Sequence, residues 1–467
     1  MQFINRTQEM QWLHTVSGSN EPALVVVWGR RRVGKSRLLA EWCRKVGGAY
    51  WVADESSSPI QRRYLAEELG RVIPGFEAVT YPDWSALLDR LSADARTRNW
   101  RGPLVIDEFP YLVSGAPEVP SVLQRWIDRE KREGGLQLVL SGSSQRMMMD
   151  TILRADAPLY GRADRLFRLE PLSPGFVHQV IKTSQPQSVL DFFTCWGGVP
   201  RYWELAQPFG THYRDAVDEL LLSPHGVLHD EVNRLLHLEL PTAVPLRPIL
   251  DAIGLGAHRI SEIAGRLQTP ATSLSRGLKQ LHDLGYLQRE LPFGEDPKRS
   301  KKALYRLADP FVRLWFRAVA PHRGTLQTAS KAVRLQLLDR AWTGLRAQAW
   351  EELCRRAVPL LSLDKREWLP PARFWAAGHS EWDLVSTALD GERVLLGECK
   401  SLSRPARRED LQKIVRSVTA KTVPPVAVAA RREFVLFVPE LADDPGPIPP
   451  GFTVVDGRQI FSALAKA

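Results

Sequence analysis

Three short runs of apolar, mostly β-branched residues stand out in the first third of the chain: ALVVVW at 23–28, PLVIDEF at 103–109 and LQLVLSGSS at 136–144. Continuous apolar runs of this length read as strands buried on both faces, the kind that build a parallel sheet between helices. SRLLAEWCRKV, close behind the first run, has helical spacing instead. From about Leu246 the rhythm changes to short amphipathic helices, PLRPILDAIG, RISEIAGRL and TPATSLSRGLKQLHDLGYL. Ile260, Ile263, Ala264 and Leu267 share one face of the second, while Leu274, Leu278, Leu281 and Leu284 stripe the third. Thr269-Pro270 suits a helix start. Gly285-Tyr286-Leu287 ends that helix and leads into QRELPFGEDPKRSKKALYRLAD, two strands around a charged loop. A longer helical stretch follows, carrying WEELCRRAV. SEWDLVSTALDGERVLLGECKSL then alternates as two strands joined at Asp390-Gly391-Glu392. A helix over roughly 406–419 and the strand EFVLFVPE at 433–440 complete the pattern.

Composition narrows the class. A chain of 467 residues suggests about three domains, and 44% hydrophobic with 25% charged residues is ordinary for a globular protein. Disorder, collagen and a membrane bundle are excluded. No run approaches the ~20 apolar residues of a bilayer span, and MQFINRTQEM lacks a signal-peptide core, so a cytoplasmic protein without a membrane partner is expected. Cys43, Cys195, Cys354 and Cys399 lie far apart with no CxxC pair, and His229 and His237 have no ligand-like spacing. Any metal is therefore expected on oxygen. The net charge of +10 suits a polyanionic partner. With 14 lysines against 49 arginines, however, it also suits a GC-rich genome. The location of the charge decides between the two.

The first apolar run is followed at once by Gly29-Arg30-Arg31-Arg32-Val33-Gly34-Lys35-Ser36, with Arg37 opening the helical pattern. Strand, glycine-bracketed loop and helix in that order make a phosphate cradle. Glycine permits positive φ and close backbone approach, Lys35 reaches the β and γ phosphates, and Ser36 places a hydroxyl on Mg²⁺. ATP and Mg²⁺ are thus the expected cofactors. The second run delivers Asp107 and Glu108 to a strand end, where Asp107 holds the metal through water and Glu108 takes the proton of the attacking water. Ser143, ending the third run, suits a sensor of the γ phosphate, although the same residues also suit a plain Ser/Gly turn. Arg162, in a Gly-Arg turn, is the candidate for stabilising the transferring phosphoryl group, in its own chain or across an interface with a second copy.

FINRTQEMQWL, GRRRVGKS, VIDEF, SGSS, LYGR and WGGVPRYWEL, in this order and spacing, resemble the archaeal-type ATPases, relatives of the AAA+ and STAND ATPases. The first box departs from the family's F-[IV]-G-R-E pattern, with Asn5 for glycine and Thr7 for the acid. The resemblance implies a P-loop core of the additional-strand type over 1–170 and a helical lid over 171–243. Pro200 of Gly198-Val199-Pro200 would then pack near the adenine. On its residues alone, that tripeptide also reads as a turn between two helices.

The helices and hairpin of 244–325 read as a winged helix-turn-helix. Thr272, Ser273, Arg276 and Lys279 would meet DNA bases, and Lys298, Arg299, Lys301 and Lys302 its phosphates. The same element also serves as a lid or protein contact, and a basic wing can be merely solvated. Over 326–467, Asp383 starts one strand and Glu398-Cys399-Lys400 ends the next. Residues 398 and 400 share a strand face. Asp383 and Glu398 could share a Mg²⁺ with the Cys399 carbonyl, and Lys400 could orient the hydrolytic water. The pattern resembles the D…ExK core of PD-(D/E)xK nucleases, a restriction-endonuclease-like α/β fold. LLGECK resembles the domain of unknown function 234 that follows archaeal-type ATPases. Resemblance further implies an acid from an upstream helix, Glu351 with Glu352 beside it, and a basic helix with Arg407, Arg408, Lys413 and Arg416 along a bound backbone. Glu381-Trp382-Asp383 replaces the expected Glu-Ile-Asp.

Two functions fit. One is an ATPase acting on DNA, whose nucleotide state controls a metal-dependent nuclease centre. The other is a STAND-type switch whose C-terminal domain binds DNA or an unidentified protein without cutting. A homo-oligomer accompanies either if Arg162 acts in trans.

Overall fold

The computed structural model describes residues 3–19, 21–239, 246–363, 365–428 and 430–466. The expected boundary between 243 and 244 lies outside the described residues. The chain forms two compact units, Asn5–Pro171 and Leu172–Ala467 with Met1–Ile4.

In the first unit α1 (Thr7–Gly18) precedes β1 (Ala23–Trp28), α2 (Lys35–Val46), β2 (Ala49–Val52), α3 (Ser58–Gly70) and α4 (Trp84–Thr97). Next come β3 (Leu104–Asp107), α5 (Phe109–Gly115), α6 (Val119–Glu133), β4 (Gln137–Gly142), α7 (Gln145–Met148) and β5 (Arg165–Arg168). The five strands are parallel in the order β2-β3-β4-β1-β5, so β4 stands between the strand feeding the glycine loop and the strand ending in Asp107. The apolar runs of β1, β3 and β4 are buried because helices cover both faces. Leu24, Val26, Leu104, Ile106, Leu138 and Leu140 share one core with residues of α3 to α6. Because every strand runs the same way, the residues following β1, β3 and β4 all emerge at one edge, where open α/β sheets hold their ligands.

The second unit begins with α8 (Val177–Ile181), α9 (Pro186–Trp196), α10 (Pro200–Ala206), α11 (Tyr213–Val217) and α12 (Glu231–Glu239). Then come α13 (Arg247–Gly254), α14 (Ile260–Leu267), α15 (Ala271–Asp283) and an antiparallel hairpin of β6 (Leu287–Glu290) and β7 (Leu304–Leu307). α16 (Pro310–Leu314), α17 (Arg323–Leu326) and the 27-residue α18 (Lys331–Ala357) lead to β8 (Ala372–Phe374), β9 (Trp382–Thr387), β10 (Arg393–Cys399), α19 (Arg408–Thr419), β11 (Arg431–Val438), β12 (Phe452–Asp456) and α20 (Gly457–Lys466). These strands form a mixed sheet in the order β12-β11-β10-β9-β8, antiparallel from β8 to β10 and parallel from β10 to β12.

Alternation along β10 divides the sheet's two faces. Val394 and Leu396 pack with Leu411, Ile414 and Val418 of α19, while Leu395 and Cys399 join Trp350, Leu353 and Cys354 of α18. That second core is continuous with the short helices as far back as Ile4, so the segments expected at 171–243, 244–325 and 326–467 share one core. The β6–β7 hairpin is also tied to the mixed sheet. The Phe293 N–H donates to the Arg373 carbonyl at 2.7 Å, and Phe293 packs on the α19 side. Glu290 faces Arg306 at 3.0 Å, Arg373 at 3.5 Å and Arg355 at 3.7 Å.

Candidate nucleotide site and a second carboxylate centre

The loop from Gly29 to Ser36 turns sharply between β1 and α2. A Cβ on Gly29 would lie 2.6 Å from the Leu169 carbonyl oxygen, closer than any side chain allows. Gly34 caps α2 at φ 95, in the left-handed region glycine favours. The N–H groups of a helix's first turn have no intrahelical acceptor, so α2 offers them to an anion. The buried Lys35 ammonium donates to the carbonyls of Gly29 at 2.8 Å and Arg30 at 3.1 Å, arching over the loop. Arg30 and Val33 are buried, whereas Arg32, Ser36 and Arg37 are exposed. Arg31 donates to the Tyr111 hydroxyl at 2.7 Å.

Two side chains that sequence reading did not single out hold this site. Arg6, buried at the start of α1, donates to the Val33 carbonyl at 2.8 Å and pairs with Glu9 at 2.6 Å. Asn5, standing where the family has glycine, has φ 55, a conformation asparagine tolerates. Tyr50, on β2, donates its phenol proton to Asp107 Oδ2 at 2.7 Å, with the Ser36 hydroxyl beside it. Burial pushes the Tyr50 phenol up, and the charge of Asp107 adds to the effect.

Asp107 is fully buried, and its Oδ1 accepts the Glu108 N–H at 2.9 Å. Glu108 itself sits at φ 52, strain of the sort that functional positions hold. The Ser143 hydroxyl lies 2.7 Å and 2.8 Å from the two carboxylate oxygens of Glu108, and its N–H donates to Oε2 at 3.3 Å. The donor set on the metal side, a hydroxyl and a carboxylate, is the all-oxygen chemistry that Mg²⁺ takes, and the ammonium and helix start suit a triphosphate.

Arg162 departs from expectation. It pairs with Asp128 of α6 at 3.0 Å, and its neighbour Asp164 bonds Leu24 through both backbone and side chain. Leu24 lies at the N-terminal end of β1, and the glycine loop follows the other end. Arg162 therefore does not enter the chain's own loop site, because the Gly-Arg turn closes at the wrong edge of a parallel sheet. Pro200 opens α10 in the other unit.

The mixed sheet gathers a second set of charges. Glu398 is buried; one of its oxygens takes the Lys400 ammonium at 2.6 Å and the other pairs with Lys421. Lys421 also donates to the Glu381 carbonyl at 2.8 Å and lies 5.1 Å from the Trp382 ring centre. Asp383 Oδ2 accepts the Cys399 N–H at 2.9 Å, so Cys399 meets the acid with its amide proton where its carbonyl was expected to join a metal. Burial, then the charges of Glu398 and Glu351, push Asp383 up to about 6. Burial is the strongest single influence on the Lys400 ammonium and opposes it, but the bond to Glu398 and the charges of Glu398 and Asp383 together raise it above the usual lysine value. Glu351 reaches Arg355 at 3.5 Å and Arg373 at 4.0 Å, while Glu352 turns to Arg313. Among the described residues, no group of three or more His, Cys, Asp or Glu side chains is disposed to hold a metal ion.

The residues expected at DNA are at the surface. Thr272, Ser273, Arg276 and Lys279 are exposed on α15, as are Lys298, Arg299, Lys301 and Lys302 in the hairpin loop. Lys279 and Lys302 are paired, with Asp283 and Glu295, each at 2.6 Å. Arg407, Arg408, Lys413 and Arg416 are exposed around α19. Among the described residues no helix is long and apolar enough to cross a membrane.

The strand order and the loop leave one class for the first unit, that of the P-loop ATPases. Residues 3–205 match an ATPase domain found predominantly in Archaea, and residues 315–414 match a family of archaeal and bacterial proteins of unknown function. The chain thus carries the archaeal-type ATPase domain followed by that second domain. Over 426 residues it is 26% identical to an uncharacterized protein of Methanocaldococcus jannaschii, covering 90% of this chain and 92% of that protein. The Walker-type ATPase of Pyrococcus abyssi is similar at 20% identity and a TM-score of 0.52, over 68% of this chain and 96% of that one, a likeness of fold. The ORC2 protein of Aeropyrum pernix, in its ADPNP and ADP complexes, overlaps 74% of this chain and 96% of its own at 14% identity. Its TM-score is 0.44.

Proposed function

We propose that the chain binds and hydrolyses ATP at the Gly29–Ser36 loop, and that its nucleotide state governs what the second unit does with DNA. Lys35 and the first turn of α2 bind the phosphates, while Ser36 and Asp107 hold Mg²⁺, which when bound supplies charge neutralisation at the β and γ phosphates. Glu108 accepts the proton of the attacking water, and Ser143 keeps its carboxylate aimed. The observation that carries this is the Glu108–Ser143 contact at the loop's end of the sheet. An arginine for the transferring phosphoryl group is then Arg162 of a second copy. ATPase rate per subunit should climb with protein concentration, and a flat rate over a wide range would sink the trans arrangement. Lys35→Ala with unchanged ATP turnover would refute the site as a whole.

For the second unit we read α13 to α15 with the β6–β7 hairpin as a winged helix, and the mixed sheet as a nuclease-like fold whose centre is Asp383, Glu398 and Lys400, with Glu351 nearby. Exposed cations in the hairpin loop and on α19 support contact with DNA phosphates. A second reading, a binding module that does not cut, is favoured by one observation: both Glu398 oxygens are taken by lysines. Circular and linear DNA incubated with and without Mg²⁺ and ATP separates the two. Cleavage that needs metal and disappears in Lys400→Ala, with ATP turnover intact, supports the nuclease. Retention of DNA without cleavage supports the module.

A further inference from the structure

We infer that Tyr50 is a positioning residue of the ATPase centre, orienting Ser36 and Asp107 toward their cation. The inference rests on the proposed assignment of Mg²⁺ to those two side chains. β2 is the edge strand beside β3, and Tyr50 and Asp107 lie on the sheet face that α2 covers, so the phenol reaches both Asp107 and the first residue turn of α2. Its donor and acceptor roles are fixed by chemistry. An ionised carboxylate only accepts, so the phenol proton must go to Asp107 Oδ2. The phenol oxygen then has only lone pairs left, so toward the neighbouring Ser36 hydroxyl it can act only as an acceptor. A hydroxyl that ligates a cation has to turn its lone pairs to the metal and its proton elsewhere. Tyr50 supplies that elsewhere.

The other Asp107 oxygen is held by the Glu108 N–H, so the carboxylate plane is pinned at both ends. Removing the phenol hydroxyl frees the Ser36 proton to compete for the acceptors the cation needs and leaves Asp107 able to rotate. Second-layer partners of this kind typically tune metal affinity by 10–100-fold. The phenol's partners, Asp107 and Ser36, are the two side chains assigned to the metal, so the effect should fall on the metal rather than on the nucleotide.

The test is equilibrium binding of a fluorescent ATP analogue to the full chain, titrated with MgCl₂, for the parent, Tyr50→Phe and Tyr111→Phe. Tyr50→Phe should raise the half-saturating Mg²⁺ concentration about tenfold while its affinity in EDTA equals the parent's, which also reports a folded site. Tyr111→Phe, which removes the phenol on Arg31, should leave the Mg²⁺ midpoint where it was. A Tyr50→Phe midpoint equal to the parent's, an equal shift in both variants, or a matching loss of affinity in EDTA would each overturn the inference, the last making Tyr50 merely structural. If the parent's own binding ignores Mg²⁺, the metal assignment to Ser36 and Asp107 falls and the inference with it, and that failure is visible without any variant.

Discussion

The chain contains two centres built from similar parts, a pair of carboxylates at strand ends with a lysine close by, and they treat the lysine in opposite ways. In the first unit Lys35 donates to two of the loop's own carbonyls, and the carboxylates meet neutral donors, Tyr50 and Ser143. At the mixed sheet, Lys400 and Lys421 lie directly on Glu398. Neutral donors orient a carboxylate without cancelling its charge. Ammonium groups cancel it, so any cation arriving at Glu398 must displace one of them. On the proposed reading the first centre acts on a bound phosphate, while the second has first to be opened.

The sharpest way to break this contrast is Lys35→Ala. Nucleotide affinity should fall by about 100-fold or more, since a charge-assisted contact is lost in a buried setting, whereas Lys400→Ala should leave affinity for a fluorescent ATP analogue unchanged. Equal losses would mean that the two lysines do the same job. Glu108→Gln comes next. It keeps shape and hydrogen bonding but removes the base, so phosphate release should slow by about 10²–10³-fold with binding retained.

Asp383 gives a smaller effect with a definite sign. Its folded value of about 6 lies above the ordinary 3.8 because burial favours the neutral acid. Between these values the native chain holds the proton and the unfolded chain does not, so stability is full below pH 4 and falls as pH rises through 6, by about 3 kcal/mol. In EDTA, Asp383→Asn should flatten that stretch of the urea midpoint against pH, and an undiminished slope would place the proton elsewhere. Smallest is Lys413→Ala, an exposed phosphate contact in the DNA reading. It should weaken binding evenly across sequences and reduce the slope of log K against log salt by about 1.

The glycine loop, Asp107-Glu108 and the β9–β10 hairpin were legible because each is a local pattern: a fixed spacing between glycines, an apolar run ending in acids, a turn between alternating segments. What escaped was held by contacts across the sequence. Tyr50 acts on a residue 57 positions away and Arg6 on one 27 away, and nothing in AYWV or FINRT shows where those side chains end up. Lys421, 23 residues past Glu398, looked like any cation after a helix. Arg162 shows the converse. Its Gly-Arg turn is a local pattern, but the edge of the sheet that turn faces, and so its distance from the chain's own loop, depends on pairing with Leu24 and Asp128. The expected division at 325/326 followed a change of rhythm and missed a shared core, since burial on both sides of that point leaves no trace in periodicity.

The joint between the β6–β7 hairpin and the mixed sheet bears on how the protein can be dissected. A fragment beginning at residue 326 would retain Arg355 and Arg373 but lose Glu290, and it would uncover the apolar surface on which Phe293 rests. Two guanidinium groups left short of a partner, next to a bare greasy patch, are a recipe for insoluble material. Scissors are better placed between Pro171 and Leu172, where the chain passes from one compact unit into the other.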